Sequence, residues 1–285
     1  MANKDILTVI RETYPQFTKS EKRVADFVFQ SPGKVLYTSI TDLAELCGVG
    51  DTTVFRFCKA LKLNGYQDFK MFLALAVAST NGVEESVVGE VGPADDVESI
   101  GRKALATNIA ALNETFELLD VTAIEKATQM IASADRIHFF GMGASGITAL
   151  EAKQKFMRIM PNVEYSSDCH MQYMAASLMT ERDLAIAFSY SGSTKDMIDI
   201  LKIAKNTNCK IICITRFAKS TLASLADITL LCGSNEGPMQ GGALSTTLTQ
   251  FYLLDILYLQ YFIRYYDKAK KNKAKTTESI SSKLL

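Results

Sequence analysis

The chain has 285 residues, enough for two domains of about 150 residues each. Apolar residues make up 48% and charged residues 22%, and Lys+Arg equals Asp+Glu at 31 each. This excludes a collagen-like, disordered or disulfide-scaffold protein, and the zero net charge excludes a globally basic binder of nucleic acid or membrane while leaving local segregation of charge open.

Three zones separate along the chain. Residues 1–78 read as short helical segments, 79–100 as a linker rich in Gly and Ser, and 101–285 as alternating strands and helices. In the first zone, Thr18-Lys19-Ser20-Glu21 carries a capping signal and opens a helix with apolar Val24, Phe27 and Val28. That helix ends at Ser31-Pro32-Gly33. A second helix starts near Ser39 to Thr41 and carries Leu43, Ala44 and Leu46. Gly48-Val49-Gly50 then makes a tight turn into a third helix over residues 51–62. Two short helices joined by a glycine-containing turn fit a helix-turn-helix.

At 100° per residue, Val54, Phe57, Cys58 and Leu61 share one face of the third helix. Thr52, Arg56 and Lys59 point the opposite way, flanked by Phe55 and Lys62. A recognition helix needs this arrangement, since one side docks and the other offers donors to base edges and phosphates. Thr52, Thr53, Arg56, Lys59 and Lys62 are the candidate DNA contacts. The plain alternative is an amphipathic helix with a solvated face. The stretch after Asp51 supports the DNA reading, because Arg56, Lys59, Lys62 and Lys70 stand against Asp68 alone.

The linker and the helix after it are acidic, with Glu84, Glu85, Glu90, Asp95, Asp96 and Glu98. Over residues 101–119, Leu105, Ile109, Leu112, Phe116 and Leu119 fall on one helical face that suits its own domain or a partner subunit. The strand-like run 136–140 leads through Gly141-Met142-Gly143-Ala144-Ser145-Gly146 into a helix reaching Ile159. A glycine-rich turn between strand and helix lets backbone N–H groups approach an anion. The spacing also fits a dinucleotide fingerprint, but the acidic residue such a site needs has only Glu164 as a candidate.

A second strand, 184–188, precedes Ser189-Tyr190-Ser191-Gly192-Ser193-Thr194 and a helix from Lys195 to about Asn206. Four Ser and Thr hydroxyls at a helix start suit three phosphate oxygens; simple capping needs one. Two more strands, 210–215 and 227–231, complete a doubly wound parallel sheet, with ligands expected at the strand carboxyl ends. His138, inside a strand, reads as a core residue. His170 follows a strand-like run and could face the pocket, and Glu236 is a pocket carboxylate or a loop charge.

The apolar stretch 248–263 is interrupted by Thr249, Gln250, Asp255 and Gln260, and is too short to span a bilayer. The basic C-terminus, Lys268, Lys270, Lys271, Lys273, Lys275 and Lys283, reads as a solvated, frayed tail, with nonspecific DNA contact as the alternative. Cys47, Cys58, Cys169, Cys209, Cys213 and Cys232 form no C-x-x-C pair and read as reduced thiols. No secretory pattern opens the chain, so a cytoplasmic protein is expected. With no Cys/His cluster, neither a zinc site nor any other cofactor is expected.

The two halves together resemble the RpiR-type bacterial transcription regulators, which join an N-terminal helix-turn-helix to a C-terminal SIS (sugar isomerase) domain. The resemblance rests on residues 20–27, 42–45, 53–59 and 65–70, and then on 141–146, 155–159, Asp168 with His170, and 189–195. It implies a phosphosugar effector such as N-acetylmannosamine 6-phosphate or N-acetylmuramic acid 6-phosphate. By motif position, Ser145, Ser189, Ser191 and Thr194 would hold the phosphate, within a site made of Gly143, Ala144, Tyr190 and Ser193 as well. His170 and Glu236 would meet the sugar. The chain departs from the pattern at Gly50, where a capping Ser is common, and at Gln240 and Thr246-Thr247, where arginines are common. The expectation is a two-domain repressor of carbohydrate or amino-sugar catabolism that binds an inverted-repeat operator as at least a homodimer, with no membrane association. A sugar-phosphate isomerase or lyase and a nucleotide-binding module are the alternatives.

Overall fold

The computed structural model describes residues 5–80, 91–92, 94–234, 236 and 244–281, without the side chains of 78–80. By internal contacts the chain forms two bodies, 1–108 with 235–243, and 109–234 with 244–285. The division falls within a helix, a few residues beyond the border at 101 suggested by sequence. Most of the expected linker, 81–90 and 93, lies outside the described residues. Its two ends are helical, since helix runs to Thr80 and resumes at Val97.

The first body contains α1 (Ile6–Thr13), α2 (Lys19–Gln30), α3 (Pro32–Leu36), α4 (Ile40–Leu46), α5 (Asp51–Ala60) and α6 (Tyr66–Thr80). The capping box that opens α2 is complete: Thr18 Oγ1 accepts from the Glu21 backbone N–H, and Glu21 Oε2 accepts from the Thr18 N–H at 2.8 Å. The core is aromatic at its centre. Phe57 lies 5.1 Å from Phe17 and 5.5 Å from Phe69, centroid to centroid. Val54, Phe57 and Leu61 are fully buried from α5 and its exit, each contributing about 1.5–3 kcal/mol.

The chain continues through α7 (Val97–Glu117) into the second body, with α8 (Val121–Ser133), β1 (Ile137–Gly141), α9 (Ala144–Phe156), β2 (Val163–Glu164), α10 (Cys169–Ser177) and β3 (Leu184–Phe188). Then follow α11 (Lys195–Asn206), β4 (Lys210–Thr215), α12 (Thr221–Leu225), β5 (Ile228–Leu231), α13 (Leu244–Arg264) and α14 (Tyr266–Ser281). All strand pairs are parallel, in the order β2-β1-β3-β4-β5. Strands β1, β3 and β4 are apolar on both faces because helices cover both. Phe139, Ile186 and Ile212 pack with α8, α9 and α13 on one face, and Phe140, Ala187 and Cys213 pack with α10, α11 and α12 on the other.

His138 lies in this core, only 8% exposed and stacked on Phe140, and its Nε2 has no hydrogen-bond partner. Burial lowers its pKa and keeps the ring neutral. All six cysteines are free thiols, and burial pushes those of Cys58 and Cys232 up to about 12. Lys283 lies outside the described residues, and over those described the C-terminal segment is not a frayed tail. It forms α14, held by buried Ala269 and by a bond from Asn272 Nδ2 to the Ile159 carbonyl at 2.9 Å. Among the described residues no helix is long and apolar enough to cross a membrane.

Lys70 on α6 is a charge kept at a cost. It is 7% exposed, its ammonium lies 5.4 Å over the Tyr66 ring, and burial lowers its pKa to about 8. The unfolded chain holds that proton up to about pH 10.4, so the folded state binds fewer protons between the two values and stability rises with pH across that window. Lys70→Met is expected to abolish this rise and to stabilise the first body at pH 7 by about 1–3 kcal/mol. Urea unfolding of both proteins at pH 7 and pH 9.5 measures it, and equal pH dependence in the two would contradict it.

Candidate functional site

Two surfaces carry the chemistry. On the first body, α4 and α5 are joined by residues 47–50. Gly48 takes φ +62°, and the N–H groups of Gly48 and Val49 close on the carbonyls of Glu45 and Ala44 at 2.9 and 2.8 Å. This left-handed ending satisfies the last carbonyls of α4 and turns the chain into α5. Thr41 Oγ1 donates to Asp51 Oδ2 at 2.9 Å, tying the two helices across the turn. Gly50, the N-cap of α5, offers no side-chain acceptor, so the first N–H groups of α5 remain open to other partners.

Helix α5 exposes Thr52, Phe55, Arg56 and Lys59, and Lys62 is exposed just past its end. Thr53 differs from the rest of the expected set. It is buried, one step from Val54 on the inward side of the wheel, and its hydroxyl receives Arg56 Nη2 at 3.5 Å. The Lys59 ammonium lies 5.3 Å over the Phe55 ring. Lys62 adopts φ +63° in a second left-handed ending, with the Leu63 N–H bonded to the Cys58 carbonyl at 3.1 Å. Glycine is the low-cost residue there, so the exposed cation is kept against a backbone preference.

On the second body, strand order reverses between β1 and β3. The chain leaves β1 into α9 on one face of the sheet and β3 into α11 on the other, which opens a crevice at the carboxyl edge. Gly143, Ala144 and Ser145 lie on the first of these loops, and residues 189–194 form the second. Ser189 is buried at the end of β3, and Tyr190, Ser191, Ser193 and Thr194 are half-buried. The second loop is pre-shaped. Tyr190 donates its hydroxyl to the Ser234 carbonyl at 3.0 Å, Thr215 Oγ1 donates to the Tyr190 carbonyl at 3.1 Å, and Ser191 Oγ accepts the Ser193 N–H at 3.2 Å. Gly192 sits at φ +57°, where a Cβ would lie 2.1 Å from Ser220 Oγ.

The helix starts separate into two kinds. Asp5, Thr18, Ser39, Asp120, Asp168 and Ser220 cap α1, α2, α4, α8, α10 and α12 with their side chains. Gly143 and Thr194, the N-caps of α9 and α11, make no side-chain cap bond, as is also true of Ser31 and Gly50 at α3 and α5. Simple capping therefore does not account for the serine-rich loop. Both helices leading from the crevice present uncapped N–H groups and the positive end of the helix dipole.

Sequence reasoning missed three polar residues that shape this edge. Gln250 on α13 donates to Ser145 Oγ at 3.3 Å and accepts from Thr148 Oγ1 at 2.8 Å. Its signal was a polar break in an apolar helix. Gln172 on α10 acts as a surrogate strand, accepting from the Gly141 N–H at 3.2 Å and donating to its carbonyl at 3.1 Å. Arg216, following β4, donates its N–H to the Tyr190 carbonyl at 3.1 Å and pairs with Glu114 on α7 at 2.7 Å. His170 is exposed as the second residue of α10. Glu236 is half-buried and groups with the first body; Gln240 and its neighbours lie outside the described residues. Glu164, the acid a dinucleotide site would need, is exposed 4.0 Å from Lys153.

The helix-turn-helix domain of the rpiR family matches residues 4–80, and the SIS domain matches residues 130–260. An HTH-type transcriptional regulator of Haemophilus influenzae is 34% identical over 97% of this chain and 96% of its own length. The chain belongs to the RpiR family. Like its relatives in that family it is a DNA-binding transcriptional regulator. HexR of Pseudomonas aeruginosa, also an HTH-type transcriptional regulator, is 32% identical over 89% of this chain and 88% of its own. The Vibrio vulnificus NanR protein, solved in complex with ManNAc-6P, is 27% identical with a TM-score of 0.86, covering 98% of this chain and 99% of that one.

Gln250 holds two hydroxyls at the crevice, so its loss tests whether the edge is built around it. Gln250→Leu strands the buried Thr148 hydroxyl and is expected to lower stability by about 1–3 kcal/mol. Thermal unfolding measures it, and an unchanged midpoint would remove Gln250 from the framework of the site.

Proposed function

We propose that this regulator is a cytoplasmic homodimeric repressor of carbohydrate or amino-sugar catabolism genes, controlled by a sugar phosphate bound at the crevice. In this reading residues 1–78 read DNA, 79–100 connect, and 101–285 sense the effector. The observation that carries it is the pair of uncapped helix starts, α9 and α11, at the strand-order reversal beside the serine-rich loop. A phosphate dianion takes up the open N–H groups of both helices and the hydroxyls of Ser145, Ser189, Ser191, Ser193 and Thr194. Gly143 and Ala144 let the backbone approach, Tyr190 braces the loop, and His170 meets the sugar.

An amino-sugar phosphate, N-acetylmannosamine 6-phosphate or N-acetylmuramic acid 6-phosphate, is the proposed effector class; the likeness to NanR supports the first. The isomerase or lyase reading gives no use to the first body and is not favoured by the relatives, which are regulators.

On DNA, Arg56 reads a base, Thr52 contacts the neighbouring step, and Lys59 and Lys62 hold phosphates. Thr53 serves by seating Arg56. Dimerisation is supported by apolar side chains left exposed: Leu105, Ile109 and Phe116 on α7, and Met171 and Met174 on α10 with Leu178 at its C-cap. A two-fold dimer reads an inverted repeat. Sedimentation at micromolar concentration is expected to give a dimer, and a monomer would contradict this part.

Arg56→Ala should weaken operator binding by about 1–3 kcal/mol and relax specificity at one position. Lys59→Ala should weaken binding to all sequences alike and reduce the salt slope by about one. Operator titrations in a salt series check both, and unchanged affinity in both would show that α5 is not the reading helix.

Ser189→Ala/Ser191→Ala should keep operator affinity and lose the response to the sugar phosphate, with effector binding weakened more than tenfold. Titration with and without N-acetylmannosamine 6-phosphate separates these, because effector and DNA must change each other's affinity by the same factor. A double mutant that responds like the wild type would place the phosphate elsewhere.

A further inference from the structure

The strongest feature that the effector crevice and the recognition helix leave unexplained is α14. Five lysines, Lys268, Lys270, Lys271, Lys273 and Lys275, fall within eight residues of a chain whose net charge is zero. All five are exposed, and none takes part in an ion pair among the described residues. The acids of the same helix are Asp267 and Glu278, both near its ends.

This array is held rigidly. Ala269, Asn272 and Thr276, spaced i, i+3, i+7, form the docked face. Asn272 donates to the Ile159 carbonyl at 2.9 Å and Thr276 to the Arg158 carbonyl at 3.0 Å. Lys268, Lys271 and Lys275 follow the same spacing on one flank. On the other flank the ammonium groups of Lys270 and Lys273 rest 5.2 and 5.1 Å over the rings of Tyr266 and Phe262. Like charges three and four residues apart oppose helix formation, and an isolated helix of this length is marginal in water. Docking therefore maintains a dense cationic row that local preference would disperse.

We infer that α14 is a second DNA-binding surface, one that holds backbone phosphates without reading sequence. From Lys268 to Lys275 the helix rises about 10 Å, a length over which one strand of duplex presents about three charges. A lipid surface fits less well, because a helix lying on a membrane needs a free apolar face, and Ala269 is already packed in the protein core.

The test uses the full chain and a 60-base-pair duplex of random sequence, titrated in a salt series. Lys268→Gln/Lys271→Gln/Lys275→Gln is expected to reduce the slope of log affinity against log salt by about two to three, with at least a tenfold loss of affinity at 100 mM salt. The corresponding Lys→Arg triple variant should bind like the wild type. Arg56→Ala/Lys59→Ala in the same assay reports the first body separately, so failure of one surface is distinguishable from failure of the other. If the triple Gln variant loses thermal stability, Lys271→Gln alone, with an expected slope change of about one, replaces it. Slopes and affinities unchanged in the Gln variants overturn the proposal. So does loss of binding to phosphatidylserine vesicles with DNA binding intact, which would assign the lysines to lipid.

Discussion

A parallel sheet delivers the carboxyl end of every strand, and the start of every following helix, to one edge. In the second body the chain leaves β1 and β3, which are neighbours, toward opposite faces of the sheet. No connection then crosses the gap between them, and a crevice is unavoidable. The rest of the crevice depends on that divergence. It brings two loops 40 to 50 residues apart in sequence to one edge, where each opens into a helix start that lacks a side-chain cap. Gly192 can adopt its left-handed backbone without a Cβ striking Ser220, and buried Gln250 and Gln172 hold the first loop and the end of β1 that β2 leaves unpaired.

The first body solves a different problem with the same device. The helix proposed to read DNA must dock one face firmly and keep the other free. Val54 and Phe57 supply the docking, locked by the aromatic contacts with Phe17 and Phe69. The left-handed turn at Gly48 and the Thr41–Asp51 bond set where α5 begins. With Gly50 as its cap, α5 joins α9 and α11 among the helices whose first N–H groups are left open.

Charge is treated unlike apolar surface throughout. Lys70 is buried with a lowered pKa, Lys62 occupies a backbone conformation that favours glycine, and α14 carries its lysines as near neighbours. Each arrangement costs local stability, and each is maintained by packing elsewhere. Arg216 shows the opposite treatment, since Glu114 neutralises it at the edge of the crevice.

Much of this was legible in the sequence because it follows from local pattern. The capping box at Thr18, the inward stripe of α5, the apolar runs of β1, β3 and β4, and the positions of both loops are set by residues close together in the chain. The fate of single side chains near a boundary was not, and Thr53 is the example: it stands next to the inward stripe, and only the packing of α5 turned it toward the core. Besides a bond from Gln172 to the nearby Ser166 carbonyl, the polar residues Gln172, Gln250 and Arg216 find partners 26 to 105 residues away, separations that no periodicity encodes. The C-terminal lysines read as a loose tail for the same reason. Their like charges three and four residues apart disfavour a helix, and the contacts that hold α14, from Asn272 and Thr276 to carbonyls near the end of α9, exist only once the chain has folded back on itself.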